Sequence, residues 1–350
     1  MSGGFGHIRA GEALLDYAKE NLPNIHAEHF DVSNINISLK KYAKIYDFLN
    51  KRFPFVWGAM YKYFSAPIAK KIISFGGLFN SIIKNYIFKK NPDGIIFTNV
   101  IILPMFISAL HNKFTNIKMG VVVTDYHGHP YYNFSSIDCY FVANDKVKND
   151  FQKIGMNKEK IAVTGIPINP RFYIKQNIKD LKLKYGINNN LPVVIFIASF
   201  RVSRKDLVES VKQLVEFRQK INLVFIANGN KEFYNLIRDN FLGAERFFLV
   251  DWTNFMEEYI KISDIVISKA GGLTVSECMS LKKQMIIVNP IPGQEEYNAD
   301  FVENNNLGVR VKKINEIAEV LPKMIPSKKN NPRGLVPKEN PCEKIFQYFI

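Results

Sequence analysis

The glycine pair Gly271-Gly272 lies where backbone amides could bind a phosphate. The run "DIVIS" before it has the composition of a short strand, and we expect a helix from Thr274 to Leu281 after it. The first N–H groups of a helix are unpaired and partly positive, so this order of elements suits a pyrophosphate. Glu277 would repel phosphate and would instead accept hydrogen bonds from ribose hydroxyls. The alternative is a capping box, with Thr274 as N-cap and Glu277 three residues later.

A second polar segment, "IPGQEEYNADF", follows the next apolar run, "MIIVNP". It places Gln294 and Glu295 after a Pro-Gly turn and before a helical pattern. An amide offers donors and acceptors and a carboxylate accepts only, so the pair suits neighbouring hydroxyls of a hexose. In the alternative interpretation the loop is solvated and its carboxylates complement the helix dipole. The two segments together indicate candidate ligand sites at the carboxyl ends of successive strands.

The chain begins with "MSGGFGHIRAG", a glycine turn that contains Gly4 and Gly6 and leads into a helical pattern. Such a turn normally follows a strand and presents its N–H groups to an anion. No strand-like run precedes it here. We expect either that translation starts upstream of Met1 or that the first sheet lacks its usual first strand.

Short apolar runs alternate with helical patterns along the chain, which is typical of parallel α/β sheets. The runs "DGIIFTN", "KMGVVVTD", "CYFVAN" and "IAVTGIP" predict strands in the first half, and "LPVVIFIAS", "NLVFIANG", "RFFLVDW", "DIVISKAGG" and "QMIIVNP" in the second. Between them lies a lysine-rich segment without a strand-like run. We predict a first domain, a linker, a second domain and a C-terminal segment that packs back on the first domain, at residues 1–172, 173–190, 191–336 and 337–350.

Composition narrows the class of protein. Forty-seven Lys and Arg against 32 Asp and Glu give a formal net charge of +15, which favours an anionic partner. No signature of a nucleic-acid-binding motif is present, so we expect no nucleic acid partner. The cysteines Cys139, Cys278 and Cys342 are odd in number and widely spaced, which predicts neither disulfides nor a zinc site and favours a reducing cytoplasm. No apolar run is long enough to predict a membrane span.

At these motifs the sequence resembles the family 28 glycosyltransferases, and among them the diacylglycerol glycosyltransferases related to monogalactosyldiacylglycerol synthase. The resemblance rests on "SGGFGH", "VVTDYHGHPYY", "VTGIPINPRF", "NGNKEF", "WTNFMEEYIKISDIVISKAGGLTVSE" and "IPGQEEYNA". It covers nearly the whole chain. It implies a GT-B architecture, in which two Rossmann-like domains face each other across a cleft. It also implies inverting transfer of a hexose from UDP-glucose or UDP-galactose to diacylglycerol, without a metal or other cofactor.

The resemblance also implies residues that bind the donor, most of them in the second domain. Thr253 and Phe255 would hold the uracil. The diphosphate, ribose and hexose ligands would be Gly271, Gly272, Thr274, Glu277, Gln294 and Glu295, with Asn298 following them. A departure from the family is "IASFRVSRKDL", which has no glycine where the family carries a glycine-rich loop. There Arg201 either binds phosphate through its side chain or is simply exposed.

Three residues of the first domain are candidates for acid-base chemistry. Inverting transfer needs a base for the acceptor hydroxyl and stabilisation of the departing UDP. His7 matches the family's histidine at the end of the glycine loop, and Asp125 and His129 match its T-D-x-x-x-H-P pattern. Each has a structural alternative: a cap for His7 or Asp125, and packing beside Pro130 for His129. The sequence leaves open which of the three is the base.

The segment 40–90 predicts contact with a membrane. It contains eleven Lys and Arg against the single acidic residue Asp47. Aromatic residues beside lysines suit the interface of an anionic bilayer, and the aromatic residues that we assign to it are Phe53, Phe55, Trp57 and Tyr61. We therefore expect a peripheral protein on the inner face of the cell membrane. The alternative is a pair of amphipathic helices that pack on the first sheet.

Other activities are compatible with a UDP-sugar site. A cell-wall glycosyltransferase with a polyprenyl-linked acceptor would share the donor site and differ in the first domain. A UDP-sugar epimerase would share the fold and would turn over the donor without any acceptor.

Overall fold

The structure is a computed structural model that describes residues 5–52, 79–110, 116–198, 202–325, 337 and 339–350. Six predicted site residues lie outside the described residues: Gly4, Phe53, Phe55, Trp57, Tyr61 and Arg201.

The chain divides into two compact units. Unit 1 consists of Met1–Pro170, Pro292–Tyr297 and Pro337–Ile350, and unit 2 consists of Arg171–Ile291 and Asn298–Val336. Each unit contains a parallel sheet, so the predicted α/β class is confirmed.

The sheet of unit 1 has four parallel strands among the described residues, and their order is their order in the chain. They are β1 Gly94–Phe97, β2 Lys118–Val122, β3 Cys139–Val142 and β4 Ile161–Val163. All four apolar runs predicted in the first half form strands. Strand β3 is buried at every position, as expected for a parallel strand covered on both faces.

Five helices precede or connect these strands in the described part of unit 1. They are α1 Phe5–Asn21, α2 Ile37–Arg52, α3 Asn80–Lys90, α4 Leu103–Leu110 and α5 Asp145–Lys153. Helix α1 buries Ala10, Ala13, Leu14 and Ala18. These residues recur every three or four positions and form one apolar stripe, in which the three alanines allow close approach of the helix.

The sheet of unit 2 has six parallel strands in the order β10-β9-β8-β5-β6-β7. They are β5 Val193–Ile197, β6 Asn222–Ile226, β7 Phe247–Val250, β8 Ile265–Ser268, β9 Gln284–Ile287 and β10 Gly308–Arg310. The chain leaves β5 towards β6 and later returns on the other side of β5 with β8. The strand order therefore reverses between β5 and β8, and such switch points are where open α/β sheets bind ligands.

Five of these six strands were predicted, and the three-residue strand β10 was missed. Its first residue, Gly308, lies so close to β9 that an added Cβ would come within 2.1 Å of the carbonyl oxygen of Met285. The helices of unit 2 are α6 Ile178–Lys184, α7 Arg204–Glu216, α8 Lys231–Phe241, α9 Met256–Ile262, α10 Gly272–Ser280, α11 Gln294–Asn304 and α12 Ile317–Met324, of which α11 begins within unit 1.

The segment predicted as a linker is held to unit 2 by buried charges on α9. Lys184 on α6 forms a 2.6 Å ion pair with Glu258, which is only 7% exposed. Lys261 is buried as well, and its Nζ donates to the carbonyl of Arg171 at 2.7 Å. Burial would raise the pKa of Glu258, but hydrogen bonds from Lys184 and Tyr185 outweigh burial and lower the pKa. Residues 171–187 are thus an integral part of unit 2.

The C-terminal helix α13, Pro341–Gln347, belongs to unit 1. Cys342, Ile345 and Phe346 share a buried cluster with residues of α1, β2 and β3. The Sγ of Cys342 donates to the carbonyl oxygen of Ala13 at 3.6 Å. The last residues of the chain therefore complete the core of the first unit. Within the described part of the chain, every helix is too short or too polar to cross a bilayer.

Candidate functional site

The glycine turn after β8 lies beside the switch point of the unit 2 sheet. Helix α10 begins at Gly272, and its N-cap, Gly271, makes no side-chain capping hydrogen bond. The helix therefore starts two residues earlier than we predicted. Thr274 is its third residue and Glu277 its sixth, so the capping-box alternative is wrong. The unpaired N–H groups of the first turn lie at the carboxyl end of β8, in the position that suits an anion.

Asn298 supports this turn from within unit 2. The residue is fully buried, and its Nδ2 donates to the carbonyl of Ala270 at 3.0 Å. The residue that precedes Gly271 is thereby held in place by a side chain of α11. Asn298 thus contacts the backbone of the turn, whereas the sequence indicated only that it follows the hexose ligands.

The loop Trp252–Phe255 after β7 is held by its own side chains. The Phe255 N–H donates to Thr253 Oγ1 at 2.9 Å, and Trp252 Nε1 donates to Asn254 Oδ1 at 3.2 Å. The residues Trp252 and Phe255 are 42% and 48% exposed. Exposed aromatic faces next to ordered backbone suit a nucleobase, which needs both stacking and hydrogen bonds.

Two cations flank the Phe255 ring. The guanidinium of Arg171 lies 5.5 Å from the ring centroid and Lys184 Nζ lies 5.2 Å from it. Arg171 also donates to the carbonyl of Asn254 at 3.0 Å. Neither cation was assigned to the site from the sequence, because Arg171 ends the predicted first domain and Lys184 lies in the predicted linker, although the lysine-rich composition of the linker was visible.

In unit 1, His7 lies in the first turn of α1 at the carboxyl ends of β1 and β2. Its Nδ1 is 2.7 Å from the carbonyl oxygen of Thr98 and 3.0 Å from Thr124 Oγ1. A carbonyl only accepts, so Nδ1 carries the hydrogen and donates. In neutral His7 the lone pair is consequently on Nε2. Gly6, the other described residue of the predicted glycine turn, is already helical.

His129 has the opposite tautomer. Its Nδ1 accepts from the N–H of Tyr131 at 3.1 Å and caps the short 3-10 turn Pro130–Tyr132. Nδ1 therefore has a lone pair, and neutral His129 carries its hydrogen on Nε2. The structure thus assigns a donor Nε2 to His129 and an acceptor Nε2 to His7.

Asp125 is buried and is hydrogen-bonded to a predicted hexose ligand. The residue is 3% exposed, and Gln294 Nε2 donates to its Oδ2 at 2.5 Å. Both residues belong to unit 1, because that unit includes Pro292–Tyr297. Glu295 lies beside Gln294 at the start of α11 and is 7% exposed.

The same segment contacts a histidine that the sequence analysis overlooked. The His127 ring stacks on Tyr297 with 3.8 Å between centroids and 15° between planes. Burial lowers the pKa of His127 to about 4, and attraction to Asp150, 3.5 Å away, opposes the shift without cancelling it. His127 is therefore neutral at pH 7. Its place inside the D-x-H-x-H run was the available signal.

Two family models match the chain. Residues 7–168 match monogalactosyldiacylglycerol (MGDG) synthase, and residues 202–343 match the glycosyltransferase family 28 C-terminal domain.

Similar proteins carry related names. The processive diacylglycerol beta-glucosyltransferase of Staphylococcus carnosus is 30% identical over 250 residues, which are 70% of this chain and 62% of that enzyme. The enzyme of the same name from Staphylococcus saprophyticus is 28% identical over 316 residues, which are 87% of this chain and 78% of the relative. The chain thus spans less than two thirds of the first relative's length.

Solved structures show the same fold. The UDP-GlcNAc 2-epimerase of Neisseria meningitidis, bound to UDP-GlcNAc, has a TM-score of 0.57 at 16% identity, with 78% of this chain and 80% of that chain covered. The UDP-GlcNAc 2-epimerase of Methanocaldococcus jannaschii has a TM-score of 0.56 at 16% identity, with coverage of 78% and 80%. The fold is of the GT-B type, with two Rossmann-like domains. With both halves of the chain matched in order by the two models, the chain belongs to the family 28 glycosyltransferases, and its first half is of the monogalactosyldiacylglycerol synthase type.

Proposed function

We propose that the protein transfers a hexose from a UDP-sugar to the hydroxyl of diacylglycerol. The observation that carries the proposal is the glycine turn at Gly271-Gly272, which lies at the switch point of the unit 2 sheet in a chain matched by both family models. The names of the relatives favour glucose over galactose as the hexose. A β-glucoside formed from the α-linked glucose of UDP-glucose requires inversion at C1, so we propose an inverting mechanism.

The donor diphosphate binds at the N-terminus of α10 in this proposal. As the C1–O bond to UDP breaks, the leaving diphosphate gains negative charge. The first N–H groups of the helix stabilise that charge without a metal ion or other cofactor. Glu277, one turn further on, accepts hydrogen bonds from the ribose, and the exposed loop Trp252–Phe255 binds the uracil.

His7 is the base in this proposal. Its Nε2 has the lone pair, takes the proton of the acceptor hydroxyl as the oxygen attacks C1, and later releases that proton to solvent. Neutral His129 carries hydrogen on Nε2 and acts as a hydrogen-bond donor. Asp125 accepts a hydrogen bond from Gln294 and thereby orients Gln294, which binds the hexose.

Helix α2 provides a surface for contact with the membrane that contains the acceptor. Ile37, Ile45 and Phe48 are 65%, 60% and 64% exposed. Lys41 and Lys44 are also exposed and lie on the same face, because the five residues are spaced by three or four positions. Apolar and cationic side chains on one helix face suit an anionic bilayer. We therefore propose peripheral binding at the inner face of the cell membrane.

A transfer assay tests the function. We expect purified protein with labelled UDP-glucose to glycosylate diacylglycerol in vesicles, faster when anionic lipid is included and more slowly in high salt. UDP-galactose is tested in parallel to identify the donor sugar. Transfer only to a polyprenyl-linked acceptor would replace this proposal with the cell-wall activity. Conversion of the UDP-sugar without any acceptor would indicate an epimerase.

The membrane face is tested in the same assay. The double change Ile45→Ser and Phe48→Ser should slow transfer on vesicles without changing the affinity for UDP, because these two exposed side chains contact only the lipid in this proposal. Leu242→Ser, which removes an apolar side chain that is 77% exposed in unit 2, serves as the control. An equal loss of transfer rate in the double variant and in Leu242→Ser would show that α2 is not the membrane-contact surface.

The ribose contact is tested by UDP binding. Glu277→Ala should weaken UDP by roughly 10- to 150-fold, because a hydrogen bond to a charged acceptor contributes about 1.5–3 kcal/mol. Glu319→Ala, which removes an exposed carboxylate from a helix of the same unit, should leave the affinity unchanged. Calorimetry measures both, and an unchanged affinity of the Glu277 variant would exclude the ribose contact.

A further inference from the structure

Thr124 contacts the proposed base from the end of a neighbouring strand. Its Oγ1 lies 3.0 Å from His7 Nδ1, and the residue is 5% exposed. The other oxygen at Nδ1 is the carbonyl of Thr98, at 2.7 Å. Strands β1 and β2 are hydrogen-bonded neighbours, so these two oxygens are presented at the same edge of the sheet. The Nδ1–H of His7 thus points at one backbone and one side-chain acceptor.

We infer that Thr124 is a positioning residue, which holds the His7 ring in the orientation that directs a basic Nε2 at the acceptor hydroxyl, while the Thr98 carbonyl fixes the tautomer. The inference rests on the proposed function, because it assigns a role within that reaction. A hydroxyl rotates freely, so Thr124 can direct a lone pair at Nδ1 in every protonation state of the ring. Its burial limits the rotamers that the side chain can adopt.

The hydroxyl also stabilises the protonated ring. When Nε2 takes a proton, the positive charge is shared with Nδ1–H, and hydrogen bonds to the charged form favour that form. Many catalytic histidines have a carboxylate beside Nδ1, whereas Nδ1 of His7 has two neutral oxygens as partners. Each of these two oxygens therefore supplies a large share of the stabilisation of the protonated ring. Loss of the hydroxyl should make Nε2 a weaker base and leave only the Thr98 carbonyl to orient the ring.

The test is Thr124→Val, which keeps the shape of the side chain and removes the hydroxyl. We expect kcat to fall roughly 10-fold, the factor for one hydrogen bond, with KM for the UDP-sugar nearly unchanged. The acidic limb of the kcat/KM profile should move to lower pH, because the variant no longer stabilises protonated His7. Thr124→Ser retains the hydroxyl and should restore both the rate and the pH profile.

Thr164→Val is the matched control. Thr164 follows β4 of the same sheet, is 4% exposed, and donates its hydroxyl hydrogen to the carbonyl of Gly165 at 2.9 Å. Both variants lose one buried hydroxyl in unit 1 and should lose similar stability. Only Thr124→Val should alter the pH profile. Equal kinetic effects in the two variants, with no shift of the acidic limb, would show that Thr124 is merely structural and would overturn the inference.

A measurement without substrate separates this inference from the proposed function. The imidazole nitrogen shifts of ¹⁵N-histidine-labelled protein report the tautomer, and His7→Gln identifies the His7 signals. We expect hydrogen on Nδ1 in the unmodified protein and in Thr124→Val, because the Thr98 carbonyl remains, and a lower pKa of His7 in the variant. An unchanged pKa of His7 in the variant would overturn the inference. Expected shifts in a protein without transferase activity would support the positioning role and refute only the proposed function.

Discussion

Replacing His7 by Gln is expected to lower the rate of glycosyl transfer by about 10²- to 10⁴-fold, the usual contribution of a positioned general base. Gln can still donate to the carbonyl of Thr98, but it has no group that accepts the proton of the acceptor hydroxyl. The affinity for UDP should not change, because His7 acts on the acceptor. Initial rates with saturating UDP-sugar, together with calorimetry of UDP, measure the two quantities.

His129→Asn provides the comparison. An Asn side chain can accept from the N–H of Tyr131 through its Oδ1, so the turn at Pro130 remains capped. The variant loses only the Nε2–H donor, and we expect a loss of activity well below that of His7→Gln. Asp125→Asn completes the set. If Asp125→Asn abolishes transfer while His7→Gln retains most of it, the carboxylate of Asp125 is the base and the assignment from tautomers is wrong.

Ile345→Ala is expected to destabilise unit 1 by about 2–5 kcal/mol, the range for removing a large aliphatic side chain from a core. Ile345 is fully buried on α13, within the cluster formed with Ala13, Leu14 and Phe141. The cavity would lie between the C-terminal helix and the first sheet. The midpoint of thermal unfolding of this unit should fall by several degrees, since about 1 kcal/mol corresponds to 2–4 °C in a domain of this size.

Hydrogen exchange shows which unit is affected. Peptides from β2 and β3 should exchange faster in Ile345→Ala, whereas peptides from β5 and β6 should keep their protection, because α13 belongs to unit 1. Gln347→Ala, on the exposed side of the same helix, should change stability by less than about 0.5 kcal/mol. Faster exchange in β5 and β6 alone would contradict the assignment of α13 to the first unit.

The strands could be predicted because their signal is local. Each predicted apolar run is short and is bounded by turn residues, and five of the strands are buried at every position, so composition alone indicates parallel strands. The start of α10 was misplaced for the same reason. Thr274 has a side chain that can cap a helix and Gly271 has none, yet Gly271 is the N-cap. Asn298 Nδ2 donates to the carbonyl of Ala270 just before this turn, and no local rule reports that contact.

The sequence by itself determined which residue types were available for chemistry: a histidine after a glycine turn, an aspartate after a strand, and a glycine pair before a helix. Only the tertiary structure decided their roles. The tautomer of His7 depends on the carbonyl of Thr98, 91 positions away, and the same nitrogen meets the hydroxyl of Thr124. Every residue has a carbonyl, so the sequence cannot show which one will meet an imidazole. That choice is made when β1 and β2 pair and α1 packs across their carboxyl ends.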